Sequence, residues 1–176
     1  MTEQWQIALK WLHRGVICSI FTFFLPYVYI VSLVIIFYGV WKIPEKSKLK
    51  GVLYSVMLII IGDELFSAKW YTQQIILEDI VSWLLLIFKY LVLVIIIYIL
   101  QPLAEQTDSV QAYKKVERFG MFVTFAALLA FSFGMNIEEN FQLSIVFGAA
   151  LFYLAALIML VRFIKEMMRT GLLFLK

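Results

Sequence analysis

The chain has 176 residues, of which 64% are apolar and 15% charged, with a net charge of +3. Soluble domains carry about 45–50% apolar and about 25% charged residues. A chain of this length cannot bury such an excess, because surface-to-volume scaling caps the buried fraction. On composition the soluble globular and disordered classes drop out. The expected class is all-α: a polytopic membrane helix bundle forming one transmembrane domain over residues 1–176.

The N-terminal WQIALKWLHRG is amphipathic. Trp5, Ala8, Leu9 and Leu12 share one helical face, and Gln6, Lys10 and His13 share another. Residues 1–14 either lie flat in the membrane interface or extend the first membrane helix. The apolar stretch that follows is longer than the h-region of a signal peptide and has no small-residue cleavage site after it. It is therefore expected to remain as structure.

A membrane helix needs about 20 mostly apolar residues. Five segments qualify: about Gly15–Trp41, Gly51–Trp70, Ile80–Leu100, Phe119–Met135 and Leu143–Phe163. Pro26 falls inside the first, where it predicts a kink. Trp41, Trp70 and Tyr71 sit at span ends, where amphipathic rings favour the headgroup level. The polar run AEQTDSVQAYKKVERF before the fourth span is suited to extending that helix out of the membrane.

Basic residues set orientation. Lys42, Lys46, Lys48 and Lys50 follow the first span, and Lys114, Lys115 and Arg118 precede the fourth. Arg162, Lys165, Arg169 and Lys176 close the chain. With five crossings these eleven fall on one side, and Lys10, Arg14 and Lys69 on the other. The expectation is N-terminus out and C-terminus in.

Lys89 is the exception, a charge in the middle of the third span. At that depth it costs about 2.5–3.5 kcal/mol on insertion scales. Lys89 is ten residues from Asp79 and Asp63 is seven from Trp70. At the helical rise these are depths of roughly 15 Å and roughly 10 Å from the same side. Lys89, Asp63 and Glu64 therefore form the expected intramembrane charge site, either a buried ion pair that sets helix register or an ion or proton site. Glu78, Asp79, Glu138 and Glu139 form a second acidic group at the outer loops, suited to a cation or a basic partner segment. Ala126, Ala130, Gly134, Ser144 and Gly148 recur at four-residue spacing. They predict a close-packed antiparallel pair from the fourth and fifth spans, or a face for a partner helix.

One cysteine and one histidine make neither a disulfide nor a His/Cys metal cluster. No serine has a histidine partner within a span, and only Asp63 is an aspartate inside one, so catalysis is not expected. No cofactor or metal signature is present. The basic residues are dispersed, which argues against nucleic acid. The expected partners are the lipid bilayer and another membrane protein or a second copy of the chain. The expected role is a non-enzymatic subunit or regulator of a membrane complex. The alternative is a small-solute or ion transporter using the Lys89 site, open to the outer side. The compact chain and its charge bias suit a bacterial plasma membrane.

Overall fold

The computed structural model describes residues 2–21, 28–45, 47–66, 80–107, 109–134 and 139–173. Among the described residues seven α-helices and no strand are present. They are α1 (Glu3–Phe21), α2 (Val28–Lys42), α3 (Lys48–Phe66), α4 (Ile80–Ile99), α5 (Gln101–Gln106), α6 (Val110–Gly134) and α7 (Glu139–Leu173). Two stretches among them are long and apolar enough to cross a membrane, Ile87–Gln106 and Phe147–Thr170. Helix α2 is apolar but spans only 15 residues.

The first predicted span is corrected. Gly15–Trp41 is not one kinked helix but parts of two, α1 and α2, lying side by side and antiparallel. Gly15 abuts Ile36, Ser19 bonds Ser32 and Gly39 abuts Leu12, so residue numbers rise along one helix as they fall along the other. Pro26, the expected kink, lies outside the described residues.

Small side chains explain the pairing. A Cβ added at Gly15 would sit 2.9 Å from the Ile36 backbone nitrogen. One added at Gly39 would sit 2.9 Å from the Leu12 nitrogen and 3.3 Å from the Ala8 oxygen. Both glycines thus allow backbone-to-backbone approach, which any larger side chain would prevent. The Ser19 hydroxyl donates to the Ser32 hydroxyl at 3.1 Å, and Ser32 donates to the Tyr29 carbonyl at 2.7 Å.

The N-terminal segment is continuous with this helix. Trp5, Ala8, Leu9 and Leu12 are buried, and the same face continues through Gly15, Val16 and Ser19. That face packs on α2 and α7. Of the two expectations for residues 1–14, the described part extends the first helix.

The helices close into a ring. Helix α2 packs on α3, α3 on α4, α4 on α6, α6 on α7, and α7 returns to α1. The predicted extension of the fourth span is present as the first turns of α6, from Val110. Its entry is fixed by Ser109, whose backbone nitrogen donates to the Ala104 carbonyl at 3.0 Å. The Ser109 hydroxyl lies 3.5 Å from Thr170 on α7.

Charge segregates along the bundle. Lys50 donates from Nζ to the Ile43 carbonyl, which ties the start of α3 to the end of α2. His13 on α1 feels the charge of Lys165 on α7. The Tyr113 and Phe163 rings are 6.1 Å apart, which places the start of α6 beside the last third of α7. Eleven of the twelve described basic residues therefore occupy one half of the bundle, and Lys89 is the twelfth.

Candidate functional site

Helix α4 presents consecutive residues to different neighbours, because successive side chains on an α-helix are rotated by roughly 100°. Lys89 turns to α2 and Tyr90 turns to α7. The Lys89 ammonium lies 4.6 Å from the centroid of the Tyr29 ring. Ring faces carry negative potential, so this contact attracts the cation. Lys89 is half-buried, while Tyr29 and Tyr90 are buried.

Tyr153 of α7 joins the group. Its ring meets that of Tyr90 edge-on, with centroids 5.0 Å apart, and it borders the same small gap as Tyr29. The Tyr90 hydroxyl donates to the Ala149 carbonyl at 2.7 Å. Three phenols and one ammonium thus meet near the middle of the bundle, from α2, α4 and α7. Beside them is a gap of about 10 Å³, bordered by Ser19, Tyr29, Tyr153 and apolar side chains. That is about the room of a single water. The arrangement can hold a proton, a water or a small hydrogen-bonding group.

The sequence expectation paired Lys89 with Asp63 and Glu64. Asp63 is half-buried on α3. Among the described residues no ion pair joins it to Lys89, and the Glu64 side chain lies outside them. Of the acidic outer group, Glu78, Asp79 and Glu138 lie outside the described residues. Glu139 opens α7, with its side chain also outside them. Tyr29, Tyr90 and Tyr153 were not singled out by the sequence, since isolated tyrosines in apolar helices carry no periodic signal. Gly15, Ser19, Ser32 and Gly39 do carry one, at spacings of four and seven, but one unbroken span obscures that they face each other.

The predicted small-residue face takes a different form. Ala126 and Ala130 of α6 do face Gly148 of α7, yet they do not close on it. They border a gap of about 150 Å³, together with Ala127, Ala149 and Tyr90. A Cβ added at Gly148 would meet nothing within 4 Å. Ser144 is exposed and lies off the contact, and the surroundings of Gly134 lie outside the described residues. Beside the gap the Phe122 and Phe152 rings meet edge-on, with centroids 6.1 Å apart. Around the gap Phe125, Phe147 and Leu151 are exposed, Phe147 by 66%.

Comparison with known protein families, characterised proteins and solved structures returns no match for the chain.

Proposed function

We propose that the chain is a multi-pass membrane protein that acts as a non-enzymatic subunit or regulator of a membrane complex through helix–helix contacts. In this reading six segments cross in place of the five read from sequence, because the first predicted span is two helices, α1 and α2. An even number places both ends of the described chain on one side. The half that carries eleven of the twelve described basic residues is the cytoplasmic half. Lys10 and Arg14, which a five-span arrangement exports, then stay inside. A bacterial plasma membrane suits this charge bias.

The gap between α6 and α7 carries the subunit reading. Small residues in membrane helices normally serve close approach. Here they line about 150 Å³ of space between exposed aromatic ridges. A cavity of that size accepts a ring the size of benzene. The fitting occupant is a partner transmembrane helix that inserts one bulky side chain between Ala130 and Gly148. The test is purification in mild detergent with a photo-crosslinker at Phe147. A stoichiometric protein adduct that disappears in Gly148→Leu supports the reading. Only lipid adducts, or an adduct indifferent to Gly148→Leu, overturns it.

Lys89 supports the second reading, a transporter of an ion or small solute. A cation held over Tyr29 at the middle of α4 is costly to insert and therefore a candidate coupling group. Proteoliposome flux lost in Lys89→Met and retained in Lys114→Gln supports it. Absence of flux for protons and monovalent ions removes it.

A further inference from the structure

The basic half of the α1–α2 pair carries a surface cluster that neither reading above uses. Trp11 and Tyr38 meet edge-on across the two helices, with centroids 5.0 Å apart. Tyr38 continues to Trp41 at 5.9 Å. Arg14 lies over Trp11 at 5.2 Å, and Lys42 lies over Trp41 at 4.8 Å and over Tyr38 at 5.2 Å. The rings therefore form one row, with a cation held at each end. Arg14 and Trp41 are exposed, Trp41 by 62%. Among the described residues neither Arg14 nor Lys42 takes part in an ion pair.

Two features make this more than a solvated rim. The cations come from different helices, and the Gly15 and Gly39 contacts fix their relative position. The aromatic faces also restrain the two long side chains, so less freedom is lost when an anion binds. Tryptophan and tyrosine favour the headgroup level, where phosphate groups lie. Arg14 is deeper than Lys42 by about five residues of helix, roughly 8 Å at the helical rise. A ligand that meets both must reach from the surface to below the ring row. A lipid does so, with its headgroup on Lys42 and its glycerol phosphate near Arg14.

We propose that Trp11, Arg14, Tyr38, Trp41 and Lys42 form a binding site for an anionic phospholipid on the cytoplasmic leaflet. The proposal rests on the membrane reading above. It commits to the lipid over a free anion, because the exposed indole of Trp41 offers apolar contact that a soluble phosphate does not use.

The test is native mass spectrometry of the full chain released from nanodiscs with equal phosphatidylglycerol and phosphatidylcholine. Wild-type protein is expected to retain phosphatidylglycerol at least five-fold over phosphatidylcholine. The Arg14→Gln/Lys42→Gln double variant is expected to fall below two-fold. Lys114→Gln/Lys115→Gln, which removes two exposed cations of the same half, is expected to keep the wild-type ratio. Equal loss in both double variants, or none in the first, overturns the site. Displacement of the lipid by millimolar inorganic phosphate assigns the cluster to a free anion and also overturns it. If the first double variant does not fold, Trp41→Ala replaces it with the same expected loss. Failure to resist carbonate extraction removes the membrane reading itself, whereas equal retention of both lipids by an extraction-resistant protein removes only this site.

Discussion

Gly15 lies against the backbone of Ile36, with no room for a Cβ between them: the atom would sit 2.9 Å from the Ile36 nitrogen. This contact makes two helices of the first apolar segment and brings the N-terminal helix into the core. Larger residues at Gly15 or Gly39 are expected to open the pair, since overpacking costs about 1–3 kcal/mol or more. Thermal unfolding in detergent should show a lower midpoint for Gly15→Val and Gly39→Val. Gly51→Ala is the contrast. Its site is open, and alanine favours a helix by roughly 0.5–1 kcal/mol over glycine. An unchanged midpoint in Gly15→Val would sink the close-contact explanation.

The same antiparallel pair predicts that both ends label from one side. In a Cys18→Ser background, single cysteines at Thr2 and Thr170 should react with an impermeant maleimide from the cytoplasmic face only. Reaction from opposite faces would restore the odd number of crossings.

Tyr90 links α4 to α7 through its hydroxyl on the Ala149 carbonyl. Tyr90→Phe removes the donor and keeps the ring. Membrane-embedded side-chain hydrogen bonds average about 0.6 kcal/mol and reach about 1.7. The Ala149 carbonyl keeps its helical donor in this variant, which argues for the lower part of that range. Unfolding by titration with a harsh detergent measures it. Tyr98→Phe, at a half-buried site with only a long contact to Met121, should be neutral.

Composition alone determined the helical class, the location of the apolar segments and the scarcity of charge that makes each lysine informative. Helix α4 coincides with its predicted span because a continuous apolar run has one local outcome. Periodicity likewise identified the buried face of residues 5–12. The division of the first segment was decided only by tertiary structure. Gly15, Ser19, Ser32 and Gly39 match one another across a helix pair, and no local rule shows that two stretches of one chain will meet. The α6–α7 gap has the same origin. Small residues at four-residue spacing permit close approach, but only the folded chain shows that Gly148 has nothing within 4 Å of an added Cβ. Lys89 stood out in sequence because of where it lies along its span. Its contact with Tyr29, sixty residues earlier, became visible only in the folded chain, because a cation–ring contact depends on the rotation of both helices about their axes.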